Sequence, residues 1–167
     1  MRRKSWSCLL VPLAAAAQLA VAADTPPSHA ASPGRVVMVQ AAPGVWHFHP
    51  SSEHSNFAWL LGAEVIEPSR WLAGFSYFNN SFDQKCQYLY GGRWWPISKS
   101  DPNWYFKLTG GVILGYKEPY EDKIPFNHNG VAPGIIPGLG YKMNRWNVQL
   151  NLVGPGLMMT LGYDLVR

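Results

Sequence analysis

The second half of the chain alternates apolar and polar side chains with a period of two, and this constrains the fold more than any other feature. From Trp104, one face carries Trp104, Phe106, Leu108, Gly110, Val112, Leu114 and Tyr116, and the other Tyr105, Lys107, Thr109, Gly111, Ile113, Gly115 and Lys117. Trp146, Val148, Leu150 and Leu152 alternate with Asn147, Gln149 and Asn151. Leu157, Met159, Leu161, Tyr163 and Leu165 alternate with Met158, Thr160, Gly162 and Asp164. Successive side chains of a strand point to opposite sides, so strict alternation marks strands lying between two different environments. Turn residues divide the chain into eight such segments, near 36–48, 57–66, 70–79, 84–95, 104–117, 133–142, 145–153 and 156–166. No helical periodicity or internal repeat interrupts them.

Composition identifies the two environments. The chain holds eight Trp and eight Tyr, while charged residues make up 14% of it, against about 25% in soluble domains. One face is rich in Leu, Trp and Met, the other in Gly, Thr, Asn, Gln and Lys. That pattern fits a lipid face and a lumen, with aromatics such as Trp94, Trp95, Trp104, Tyr116 and Trp146 forming girdles at segment ends. A soluble lipocalin-like barrel or sandwich would use the same alternation with the faces inverted. The expected fold is therefore an all-β, single-domain, eight-stranded antiparallel transmembrane β-barrel. Its short turns lie near 67–69, 96–103 and 143–144, and its outward loops near 49–56, 80–83, 118–132 and 154–155.

The first residues read as a cleavable secretory signal over 1–23. Arg2, Arg3 and Lys4 precede an apolar run from Leu9 to Val21, and small residues end it. The run is too short to span a bilayer as a helix. Residues 24–34, rich in Pro, Ser and Ala, read as a flexible arm, and 35–167 as the barrel. The formal charge of +4 includes those three basic residues, with no acid among the first 23, so the remainder is near +1. Nucleic-acid binding therefore has no support. Cys86 is the single cysteine after the signal, which excludes an internal disulfide in the barrel.

Two polar clusters fall on neighbouring outward loops and could meet in space. One runs Trp46-His47-Phe48-His49-Pro50-Ser51-Ser52-Glu53-His54-Ser55-Asn56, the other Phe78-Asn79-Asn80-Ser81-Phe82-Asp83-Gln84. Acyl transfer needs an imidazole to move a proton, a hydroxyl to attack or stabilise, and an amide or carboxylate to orient a partner. The same residues also suit a solvated loop, and the spacing of His47, His49 and His54 matches no closed zinc pattern. Pro133 and Pro137 in the sixth strand, with Pro155 at the end of the seventh, remove ladder donors and could leave a gap in the wall. Equally, Pro133 could belong to the preceding loop and Pro137 to a bulge.

The sequence resembles the outer-membrane lipid A palmitoyltransferases (PagP), closest to a divergent branch. The likeness rests on Asn80-Ser81-Phe82-Asp83-Gln84 with Gln87-Tyr88-Leu89-Tyr90, on Tyr120-Glu121-Asp122-Lys123-Ile124-Pro125-Phe126-Asn127, on His47 through His54, and on the last three strands. It implies a barrel in the bacterial outer membrane whose interior holds one acyl chain. It also implies transfer of palmitate from a phospholipid donor to a lipid A acceptor in the outer leaflet. His47 matches the family histidine that follows a Trp. Ser81 matches the serine of an Asp-Ser pair, and Asn80 stands where the family has Asp, leaving Asp83 as a substitute. The family glycine that sets acyl-pocket depth maps to Gly92 by a count without gaps. Alternation points instead to Gly91, with Lys85, Gln87, Leu89, Gly91 and Arg93 as the lumen set. Pro137 and Pro155 would flank the lateral opening. No metal or cofactor is implied, and a monomer is expected. The rivals are a lipid A deacylase barrel and a non-enzymatic structural or binding barrel.

Overall fold

The computed structural model describes residues 34–49, 54–55 and 57–166. The expected signal peptide, and all but the last residue of the expected arm, lie outside the described residues.

Among the described residues nine strands form one sheet: β1 (Val36–Ala42), β2 (Val45–His47), β3 (Leu60–Ile66), β4 (Trp71–Asn79), β5 (Lys85–Pro96), β6 (Trp104–Leu114), β7 (Val131–Met143), β8 (Trp146–Val153) and β9 (Gly156–Val166). Every pairing is antiparallel. Both β1 and β2 pair with β9, so they are one stave broken at Pro43-Gly44, and the sheet closes as an eight-staved barrel. The expected eight segments are therefore present, within a few residues at each end. Closure removes the long free edges of an open sheet, as a strand wall in hydrocarbon requires, and leaves only two short unpaired stretches among the described residues.

The faces divide as the alternation predicts in β6, β8 and β9. Outward stand Phe106, Leu108, Val112, Leu150, Met159 and Leu161, all exposed. Trp71, Trp95, Trp104 and Trp146 are exposed at the end bearing the short turns, here the base, and Trp46 and Tyr77 near the other end, the mouth. Inward are Gln40, Glu64, Ser76, Lys107, Thr109, Asn147, Gln149, Asn151, Thr160 and Asp164, all buried. An apolar exterior around a polar interior inverts the soluble arrangement and is what a barrel presents to lipid.

Strand β5 departs from expectation. Its burial pattern puts Cys86, Tyr88 and Tyr90 inside, with Gly92 and Trp94 on the same register. Lys85, Gln87, Leu89 and Gly91 are exposed, with Arg93 in their register. The reason is that the tyrosines use their hydroxyls inside the lumen, so polarity no longer marks the inward face. The outward charges sit at the strand ends: Lys85 Nζ lies 5.2 Å from the Trp59 ring centre, and the Arg93 guanidinium lies 5.4 Å from Trp71 and 5.8 Å from Trp95. Rings at the interface shelter those cations while the middle of the wall stays apolar.

The lumen is bound together by a polar network. Lys107 Nζ donates to Glu64 Oε1 at 2.8 Å, and the same oxygen accepts from the Tyr90 hydroxyl at 3.0 Å and Gln40 Nε2 at 3.4 Å. Tyr88 and Tyr90 stack with ring centres 4.5 Å apart. Gly74 makes this possible: a Cβ there would lie 2.5 Å from the Tyr90 ring. Toward the base, Tyr105 donates to Asn147 Oδ1, and Asn147 Nδ2 to Asp164 Oδ1.

Two stretches of wall lack a ladder, both toward the mouth. The β7–β8 pairing begins at Gly138↔Asn151, so Val131–Pro137 pairs with β6 alone. The β1–β3 ladder ends at Ala42↔Leu60, and β2 pairs with β9 alone. Pro133 and Pro137 both lie within β7 and cannot donate to a ladder, so the expected gap between the sixth and seventh staves is present.

Candidate active site

His47 closes β2 at the mouth, one residue past the exposed Trp46 and so beyond the hydrocarbon-facing wall. Backbone packing fixes its position. Val45, Trp46 and His47 pair with Met158, Leu157 and Gly156. A Cβ on Gly156 would lie 2.8 Å from Val45 Cγ1 and 2.9 Å from the Trp46 carbonyl, so only glycine lets the strands approach this closely. The Phe48 N–H then donates to the Pro155 carbonyl at 3.0 Å. Pro155 thus stands in the β8–β9 hairpin, within the expected outward loop at 154–155, and its carbonyl anchors the chain after His47. Pro137 does stand at the gap, immediately above the point where the β7–β8 ladder resumes.

The loop joining β4 to β5 brings Ser81 to the same place. Asn80 is almost wholly buried, and its Oδ1 accepts from the backbone N–H groups of Phe82 and Gln84, each at 2.9 Å. Asp83 takes a positive φ of 60°, tightening the turn, and its carboxylate accepts from Asn79 Nδ2 at 2.7 Å. Lys85 Nζ donates to Asn79 Oδ1 at 2.9 Å. Asn80 and Asp83 therefore build the loop and are engaged within it. Ser81 projects from it, and its hydroxyl lies 2.8 Å from His47 Nε2. The two loops are also joined through the Ser55 N–H, which donates to the Ser81 carbonyl at 2.6 Å.

Residues not singled out from sequence complete the surroundings. His54 stacks on His47 with ring centres 4.2 Å apart, Phe82 meets His54 edge-on at 5.5 Å, and Tyr120 stacks on Phe82 at 4.2 Å. His54 lay inside the first polar cluster, and Tyr120 in a stretch used only for the family likeness; alternation has no bearing on loops. Burial and then the neighbouring His54 charge hold the His47 imidazole below its ordinary pKa of 6.5. His47 is therefore neutral at neutral pH, the state a general base needs. Pro50 to Glu53 and Asn56 lie outside the described residues. Among the described residues, no group of three or more His, Cys, Asp or Glu converges on a common point.

Beneath the pair, the lumen narrows to a cavity of about 40 Å³ lined by Leu60, Val153, Met158 and Ile136 as well as by Glu64, Lys107, Tyr88 and Tyr90. Gly92 lies on the inward register below both tyrosines, Gly91 faces out, and the tyrosines stand between Gly92 and the mouth.

Fold and site together define a small lipid-facing barrel with a histidine–serine pair at its mouth. No family model matches the sequence, and no curated protein matches it. Among solved structures the chain is similar to the Yersinia pestis outer membrane protein Ail in phospholipid bilayer nanodisc, with 14% identity and a TM-score of 0.46, covering 79% of this chain and 99% of that one.

Proposed function

We propose that this chain resides in a bacterial outer membrane and transfers an acyl chain from a phospholipid to lipid A, the reaction of the palmitoyltransferases that its sequence resembles. The observation that carries the proposal is the 2.8 Å contact between His47 Nε2 and Ser81 Oγ, made at the mouth of a barrel whose outer surface is apolar. Neutral His47 takes the proton from the lipid A hydroxyl as that oxygen attacks the ester carbonyl of the donor. A bond forms between the acceptor oxygen and the acyl carbon. Charge builds on the carbonyl oxygen, toward which Ser81 donates its hydroxyl. The bond to the glycerol oxygen then breaks, and protonated His47 returns the proton to that leaving oxygen. The unpaired β7–β8 stretch supports the reading, because it offers a sideways path from the membrane to the lumen.

The test is mass spectrometry of lipid A from cells with and without the protein. Gain of one acyl mass, lost in His47→Ala and reduced about 10²- to 10³-fold in Ser81→Ala, supports transfer. Loss of an acyl chain would replace it with the deacylase reading. Unchanged lipid A with a correctly folded barrel would leave a structural or binding role.

A further inference from the structure

We propose that the base of the barrel is a docking surface for anionic glycerophospholipids, whose headgroup phosphates are held by a collar of Arg and Lys side chains set among interfacial tryptophans. The inference concerns the end away from His47 and Ser81 and does not depend on the chemistry at the mouth.

Charge is distributed unevenly along the barrel. Arg35, Arg70, Arg93, Lys99, Lys142 and Arg145 lie in the turns of the base or on the strand ends beside them. The acids at that end are Glu67, Asp101 and Asp164, and none of them is left to balance the collar. Glu67 is taken by Arg35 at 2.8 Å, Asp101 Oδ1 accepts from the backbone and side-chain N–H groups of Asn103, and Asp164 is wholly buried. Arg70, Arg93, Lys99 and Arg145 have no acidic partner among the described residues. At the mouth the balance reverses, since Asp83, Glu118, Glu121 and Asp122 outnumber Lys85, Lys117 and Lys123 among the described residues. In a chain so poor in charge, the excess positive charge of the barrel gathers at one end.

The collar is placed for lipid. Arg93 stands on the outward register of β5 between the exposed rings of Trp71 and Trp95. Those rings favour its charge, yet its Nε is buried with no hydrogen-bond partner among the described residues. A guanidinium in that state at the margin of hydrocarbon is costly. A phosphate offers its outer N–H groups the paired oxygens that their fork geometry matches. Arg70 and Lys142 reach the Trp94 ring from different staves, at 5.5 and 4.7 Å from its centre. Trp104 and Trp146 continue the exposed aromatic belt past Lys142 and Arg145. Tryptophans of such a belt sit at headgroup level, which sets phosphates and cations at the same height. Directly above, the wall presents exposed Leu108, Leu139 and Leu161. A partner that offers phosphate at one level and hydrocarbon at the next is a lipid; a nucleic acid or an acidic peptide offers only the first.

The experiment is native mass spectrometry of the purified protein in a neutral detergent, titrated separately with dioleoyl phosphatidylglycerol and dioleoyl phosphatidylcholine. Each Lys or Arg close to an anionic lipid surface strengthens association about fivefold. Phosphatidylglycerol is therefore expected to bind at least about tenfold more tightly than phosphatidylcholine. Arg70→Gln/Arg93→Gln removes that preference and leaves phosphatidylcholine binding unchanged, while Arg70→Lys/Arg93→Lys, which keeps the charge, retains most of it. Lys117→Gln/Lys123→Gln, at the mouth, leaves the preference intact. Equal binding of the two lipids by the unaltered protein overturns the proposal, as does a preference that survives Arg70→Gln/Arg93→Gln. Dimers that the same substitutions disperse would make the base a contact between copies of this chain and overturn it as well. None of these results bears on acyl transfer, which lipid A profiling tests separately.

Discussion

Replacing Lys107 by Met should destabilise the barrel far more than replacing both partners of its ion pair. Lys107 contributes the closest of the contacts to Glu64 Oε1, at 2.8 Å, from a site that water barely reaches. Removing it leaves a buried carboxylate held by the Tyr90 hydroxyl at 3.0 Å and by Gln40 at 3.4 Å, with its second oxygen unpartnered among the described residues. Breaking a buried pair in this way costs about 3–5 kcal/mol. The two surviving donors, each contributing about 1.5–3 kcal/mol to a charged acceptor, put the expected cost near the lower end. In Glu64→Gln/Lys107→Met, the charge goes while an amide oxygen still accepts from Tyr90 and Gln40, so the double variant should lie within about 1 kcal/mol of the parent. The assay is equilibrium urea unfolding of the barrel in detergent micelles, followed by tryptophan fluorescence. With a slope of about 1–3 kcal/mol per molar urea, the single variant should shift the midpoint by at least about 1 M. A single variant within about 0.5 kcal/mol of the parent, or a double variant as unstable as the single, would refute the account of Glu64 as a charge sustained by Lys107.

Asn80→Ala should reduce transfer by loosening the loop that presents Ser81, since Asn80 Oδ1 holds two backbone N–H groups. Asn80→Asp keeps that acceptor and should keep most activity; equal loss in both variants would contradict a loop-building role. Gly91→Ala should be neutral in urea unfolding, because the nearest atom to a Cβ there is 3.7 Å away. Gly92→Ala should destabilise, because its Cβ would overlap the Leu108 carbonyl and lie 2.9 Å from Thr109 Cγ2; equal effects would reverse the assignment of faces in β5. The rate of transfer should fall only as pH drops through the depressed pKa of His47, so the acid limb should lie below its ordinary 6.5. An acid limb at or above that value would mean that His47 is not the base.

The wall was legible because each stave must satisfy two solvents at once. In β6, β8 and β9 amides, threonine, lysine and aspartate dominate the inward set, with Tyr105, Ile113 and Met158 among them, so the polar residues mark the inward face. In β5 the inward residues are tyrosines, whose rings read as apolar while their hydroxyls serve the lumen, and the assignment reversed. The meeting of His47 with Ser81 was legible too, since antiparallel topology puts alternate loops at the same end. The engagement of Asp83 by Asn79 and the stacking of His54 on His47 were not. Both depend on how loops fold back, which no strand period encodes.

The placement of strength and weakness along the barrel is itself an argument about function. A strand in hydrocarbon cannot leave backbone groups unpaired without a cost of several kcal/mol for each. Yet β7 loses one neighbour over Val131–Pro137, and β2 has one neighbour only. Proline softens the first break, since Pro133 and Pro137 bring no N–H to satisfy, and Pro43 stands at the second. Both breaks fall in the half of the barrel that carries His47 and Ser81. The other half has every stave paired on both sides, with one register shift at Val37/Met38, and is tied together by the Glu64–Lys107 and Asn147–Asp164 contacts. A barrel with a merely structural role would gain by pairing its upper wall as fully as its lower one. Leaving the upper wall open beside an imidazole and a hydroxyl sacrifices stability at the place where the proposed reaction needs a sideways path for lipid, and the polar lower lumen makes good the loss.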